Sequence, residues 1–219
     1  MLAIVNGGVA LWALWITVAL ALVALNYAWF GPAGFQKREG RLSPAAAVLL
    51  APYLAGALVN AWAWTRARSP FDPVADDVWL GRMPSPAELE RGGFDGVVDL
   101  TCEMAIDPGR RVYANIPVLD LTLPDRETAD AAAQAIERRR ALGRVLVCCA
   151  LGYSRSATAV AAWLVATGRA ADAAAAVARI RSVRPQVVLS EAHLVAIAAV
   201  LPHGRGAARA GRIEVDRSA

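Results

Sequence analysis

The segment Val147-Cys148-Cys149-Ala150-Leu151-Gly152-Tyr153-Ser154-Arg155-Ser156 separates a cysteine from an arginine by five residues, between an apolar run and a helical one. A loop placed there ends on a helix N-terminus, where free backbone N–H groups and the helix dipole form an anion site. The same dipole favours the thiolate of a cysteine at the mouth of the loop. Arg155 can present its planar fork to two phosphate oxygens. Ser156 can donate a hydrogen bond to the thiolate, and Gly152 permits the tight curvature. An anionic nucleophile repels a phosphate dianion, so the loop must supply compensating donors. The expected roles are Cys149 as nucleophile and Arg155 as clamp. The backbone of Ala150, Leu151, Gly152, Tyr153, Ser154 and Arg155 is expected to cradle the phosphate. The spacing alone arises by chance; the strand before it, the helix after it, Gly152 and Ser156 make it specific.

Displacement at phosphorus leaves an alkoxide or phenoxide that needs a proton, so a carboxylic acid must reach the far side of the phosphate. Asp120 ends the run Ile116-Pro117-Val118-Leu119, and Asp125 follows five residues later with the bland reading of a helix N-cap. Asp99 and Glu103 are expected only to close a strand and a turn. His193, on a terminal helix, is expected to be structural or surface-exposed. With 2 histidines and no Cys/His spacing of the zinc type, neither metal nor cofactor is called for. The 3 cysteines make no disulfide framework and point to a reducing compartment.

The elements that must position these groups read as strands at 78–81, 96–101, 111–119 and 144–148. Helices are expected from Ser85 or Pro86 to Arg91, from an Asp125 cap to Leu142, and over 155–167, 171–183 and 191–201. Strands alternating with helices imply an α/β fold, a mostly parallel central sheet with helices on both faces. Residues 66–73, with two prolines and mixed charge, read as a linker, and 202–219 as a disordered tail.

Composition is 57% apolar, and the excess sits in the first 65 residues. No charged residue occurs over 8–30 or over 43–65, and each stretch exceeds the roughly 20 residues that span a bilayer. Trp29, Trp62 and Trp64 suit the interfacial belt, and Pro52 is expected to kink the second helix. The expectation is a two-span membrane hairpin over 1–68, ahead of a soluble domain over 75–201. Arginines flank the second stretch on both sides, so charge leaves the sidedness open; a catalytic thiolate favours the cytoplasm. A net charge of +4 without an aromatic-interleaved basic stripe excludes nucleic acid as a partner.

The loop resembles the signature His-Cys-x-x-Gly-x-x-Arg-Ser/Thr of the dual-specificity branch of the cysteine phosphatases, with Cys148 in place of the histidine. Val78-Trp79-Leu80-Gly81-Arg82-Met83-Pro84 resembles the opening strand of these domains, and Val97-Val98-Asp99-Leu100-Thr101-Cys102-Glu103 the second. Ile180-Arg181-Ser182-Val183-Arg184-Pro185 resembles their late helix, particularly in the group that includes mitochondrial-type phosphatidylglycerophosphate phosphatase. The resemblance covers roughly 75–201 and implies the cysteine phosphatase fold and a phosphocysteine intermediate. It makes Asp120 the general acid. It raises Cys102 as a redox partner for Cys149, against the plainer reading of a small packed residue. The substrate it implies is phosphotyrosine or phosphoserine/threonine on a protein. The alternatives are a phospholipid monoester of the phosphatidylglycerophosphate kind and, given the missing histidine, a catalytically weak phosphate-binding module. Ala150, Leu151, Tyr153 and Ser154 carry no lysine for a polyphosphorylated headgroup.

Overall fold

The computed structural model describes residues 2–200, so the tail expected over 202–219 lies outside the described residues. Two strands buried on both faces, Gly96–Thr101 (β5) and the apolar run Val145–Cys149 (β7), sit inside a five-stranded sheet. The strand order is β3 (Phe71–Ala75), β4 (Val78–Arg82), β7, β5, β6 (Val112–Val118). All pairings are parallel except β3 with β4. β3 occupies part of the stretch expected to be a linker. Its Pro73 and a bulge between Pro73 and Ala75 suit the edge position it holds.

One sheet face is covered by α5 (Arg126–Arg140), α6 (Arg155–Ala166), α7 (Ala173–Val183) and α8 (Glu191–Ala198). The other carries α4 (Pro86–Gly92) and a cluster of Leu89, Phe94, Val97, Leu146 and Cys148. The caps expected from sequence are built: Ser85 forms a capping box with Glu88, and the Asp125 carboxylate accepts the Thr128 N–H at 2.8 Å. Alternation along β7 puts Val145, Val147 and Cys149 on the α5/α6 face and Leu146 and Cys148 on the opposite one.

The N-terminal third departs from two spanning helices. The helix α1 (Leu2–Leu25) runs into a π-turn and a 3₁₀ turn, and Gly8–Phe35, 28 residues long, is the one described stretch long and apolar enough to cross a membrane, with a mean hydropathy of 2.3 over its most apolar 18 residues. The second uncharged stretch is two helices, α2 (Pro44–Leu49) and α3 (Ala51–Thr65), broken at Leu50. Pro52 is the cause: it has no N–H to offer the Val48 carbonyl, which takes a bond from Trp15 Nε1 at 3.1 Å instead. Both sides of this helix pair rest on the phosphate-loop domain. Before it, a two-stranded turn, β1 (Lys37–Arg38) with β2 (Arg41–Leu42), inserts Lys37 into a fully buried ion pair with Asp99. The Gly40 carbonyl accepts the Ile106 N–H at 2.8 Å. Further along, Ala57 and Ala61 of α3 pack on Met104, Ala150 and Leu151.

Candidate active site

Cys149 ends β7, and α6 begins six residues later with Arg155, so strand and helix hold the two ends of the loop. Sγ of Cys149 accepts the Gly152 N–H at 3.3 Å and the Ser156 hydroxyl at 3.2 Å. Gly152 has φ +72°, and a Cβ there would lie 2.5 Å from the Gly81 carbonyl carbon, so a side chain is excluded by conformation and by space. The loop carbonyls are turned to outside partners. Ala150 O takes the Met83 N–H, Tyr153 O the Val188 N–H at 2.9 Å, and Ser154 O the Thr158 N–H at 2.8 Å. Arg184, fully buried, donates from Nε to Gly152 O at 2.9 Å and from Nη2 to Leu151 O, with Asp72 at 2.6 Å as its counter-ion. With the carbonyls drawn outward, the N–H groups are left to an anion over Sγ.

Arg155 is 3% exposed. Its Nη1 donates to Glu103 at 3.0 Å and to Val118 O at 2.9 Å, and its Nη2 to Glu103 at 2.7 Å. Three of five guanidinium N–H groups are thus committed inward. The rest, on Nε and Nη2, form an outward edge, where Asp120 sits 3.1 Å from Nη2 with its side chain 41% exposed. Burial alone would raise the Glu103 carboxyl; the Arg155 guanidinium more than offsets it, and the group ends below the usual carboxylate range. Burial pulls the Arg155 guanidinium down, but Glu103, Cys149 and Asp120 together push it well above its ordinary value.

Cys149, Arg155, Asp120 and Ser156 therefore meet, and all but Ser156 line one pocket of about 530 Å³. Asp125 caps α5 instead. Cys148 is enclosed on the other sheet face, where burial, and then Asp99, push its thiol well up. Cys102 is buried beneath the N-terminal helices, its thiol donating to Glu103 Oε2 at 3.4 Å, and burial raises it too. Among the described residues no group of His, Cys, Asp and Glu is arranged to hold a metal.

Four further residues, none of them assigned to the site from sequence, contribute to it. Glu103, expected to close a turn, is the buried counter-ion of Arg155; its place two residues beyond the strand Gly96–Thr101 was the one local signal. Arg184 precedes a proline that ends its helix, which leaves its long side chain free to turn back under the loop. His193 has the structural role of capping α8 with Ser190, and it also lines the pocket. Its Nδ1 accepts the Ser190 N–H at 3.1 Å, so Nε2 carries the hydrogen and donates to Ser154 Oγ at 2.9 Å; burial pushes its pKa below the usual value. Asn60, from α3, forms part of the pocket wall, and no local pattern marks it.

The family model described as dual specificity phosphatase, catalytic domain, matches residues 78–200. The solved structure of Tk-PTP in the active form shares 27% identity at TM-score 0.53, over 58% of this chain and 93% of that one. PTPMT1 in complex with PI(5)P gives 19% and 0.53, over 59% and 93%. Human DUSP28 gives 24% and 0.52, over 60% and 92%. No curated protein matches the chain.

Proposed function

The chain belongs to the dual-specificity phosphatase family and is a phosphoric monoester hydrolase, and from that premise we propose that it works at a membrane surface through a phosphocysteine on Cys149. An incoming phosphomonoester displaces Asp120 from the outer edge of Arg155, and its oxygens take that edge and the loop N–H groups. Cys149 Sγ attacks phosphorus in line, the P–O bond to the leaving group breaks, and Asp120 passes its proton to the departing oxygen. Water, deprotonated by Asp120, then attacks the phosphocysteine; phosphate leaves and the thiolate returns. Glu103 fixes the inner edge of Arg155, so the guanidinium is oriented before substrate arrives. The observation that carries this reading is the convergence of two donors on Cys149 Sγ beside an Arg155–Asp120 contact.

The helix α1 anchors the enzyme, and the catalytic domain faces the cytoplasm, where free thiols persist. The pocket rim favours a lipid phosphomonoester. Leu121 is 96% exposed at φ +57°, a backbone conformation that costs a leucine free energy, and Leu123 and Val188 are exposed beside it. Apolar groups held in water at the mouth of a phosphate pocket suit acyl chains. PTPMT1, solved with PI(5)P, shares this fold. The second reading is a phosphoprotein segment, favoured by the uncharged loop residues Ala150, Leu151, Tyr153 and Ser154, which suit a single phosphate. Phosphate release from a panel of phospholipid monoesters and phosphopeptides, with the full-length protein in detergent, separates the two. The lipid reading requires kcat/KM at least tenfold higher on lipids; the reverse order overturns it.

A further inference from the structure

The chain holds a second long uncharged segment, 43–65, whose outward face is apolar and unmatched by protein: Val48, Leu49, Leu58, Val59 and Trp62 are all exposed. If this segment crossed the bilayer, its ends would lie on opposite sides of a hydrocarbon core about 30 Å thick. The structure pins both ends to one domain. At the leading end Lys37, its side chain 1% exposed, pairs with the fully buried Asp99 and also donates to Thr101 O at 3.1 Å, while Ile106 N–H reaches Gly40 O. Tyr113 OH donates to the same Asp99 carboxylate at 2.9 Å. Carrying this loop across the membrane would leave a buried carboxylate without its cation. At the trailing end Tyr153 OH donates to Trp64 O at 3.0 Å, and Ala61 is buried against Met104 and Ala150. Tyr153 and Ala150 belong to the phosphate loop, so the helix is fastened to the site.

We propose that α2 and α3 do not span the membrane but enter it beside α1, to the depth at which Trp15 Nε1 meets Val48 O, and return to the side of the catalytic domain, and that the chain crosses once, through α1. The partner of the outward face is the bilayer itself. Arg38 and Arg41 before the segment, and Arg66 and Arg68 after it, are exposed and cationic, with no charge between Ser43 and Thr65. That order matches anionic headgroups on either side of an apolar dip. Asn60 on the returning helix α3 lines the phosphate pocket beside Leu121 and Leu123, so that helix sets the pocket mouth at the lipid surface. The N-terminus then lies across the membrane from the catalytic domain, the reverse of a two-span hairpin.

This rests on the membrane attachment proposed above, and one experiment separates the two. Full-length protein in sealed vesicles carries a protease-cleavable tag at each terminus, and Glu39→Cys and Val59→Cys variants are treated with a membrane-impermeant maleimide. The expected result is that Glu39→Cys labels on the face where the C-terminal tag is cut, and that the N-terminal tag resists until detergent is added. Val59→Cys, 65% exposed in the protein, labels at least tenfold more slowly than Glu39→Cys until detergent is added. Protection of Glu39→Cys, with both tags on one face, restores the two-span hairpin and overturns the proposal. Val59→Cys labelling as fast as Glu39→Cys puts α3 in water and also overturns it. Release of the protein by carbonate, with every site reactive, removes the membrane reading itself.

Discussion

Replacing Glu103 with Gln tests whether Arg155 is oriented from beneath. The Arg155 and Glu103 side chains are 2% and 3% exposed and joined at 2.7 and 3.0 Å. Breaking a buried pair from one side costs about 3–5 kcal/mol, since the remaining charge stays desolvated. At about 2–4 °C per kcal/mol for a chain of this size, that is a fall of roughly 10 °C in Tm. Asp120 contacts the same guanidinium from a side chain 41% exposed, and Asp120→Asn should cost about 1 kcal/mol or less. The assay is thermal unfolding of full-length protein in detergent, with aryl phosphate turnover measured in parallel. Glu103→Gln should lose activity as well as stability. The folded Glu103 carboxyl titrates below its ordinary value, so its stabilisation is complete above the unfolded value near ~4.3 and is lost as pH falls through the folded one. The difference between wild type and variant should therefore hold at neutral pH and close only in acid. A fall in Tm under about 3 °C at pH 7 refutes the reasoning.

Asp120→Asn should lower kcat/KM, which reports the first displacement, by about 10²–10⁴-fold for an alkyl phosphate and far less for a nitrophenyl phosphate, whereas Asp125→Asn, an equally good N-cap, should change neither. Gly152→Ala should lower kcat by about 100-fold, because the Cβ would meet the Gly81 backbone and shift the loop; a change within about twofold would show that the loop tolerates the shift. Glu137 bonds Arg140 and the Trp163 indole, and these contacts, Arg140 first, outweigh burial and hold its pKa at about 2. Its stabilisation should be present above the unfolded value near ~4.3 and lost as pH falls towards the folded one, so wild type and Glu137→Gln should differ in Tm at pH 6 and converge in acid.

Much of the site was legible because its signals are local. Cys149, Gly152, Arg155 and Ser156 fall within eight residues, and an apolar strand without alternation fixed where the loop begins. Asp120 needed the family resemblance, since nothing local separates it from Asp125. Glu103, Arg184 and His193 reach the loop across 52, 32 and 39 residues respectively, and contacts that distant leave no periodic trace. β3 was hidden by Pro73, which an edge strand tolerates. The second apolar stretch, expected as one helix, is broken at Leu50 into two. The Lys37–Asp99 pair and the Tyr153–Trp64 bond that fasten its two ends to the domain are tertiary and leave no mark in length or hydropathy.

The whole mechanism depends on turnover passing through phosphorus bonded to Cys149 Sγ. Acid quench during steady-state hydrolysis of a nitrophenyl phosphate, followed by mass mapping of the loop peptide, measures this directly. Asp120→Asn, which slows the second displacement, should accumulate the adduct. The mechanism predicts one phosphoryl group on Cys149, absent from Cys149→Ser and still formed in Cys148→Ser. A phosphoryl group on Cys148, Ser154 or Ser156, or its formation in Cys149→Ser, would contradict it.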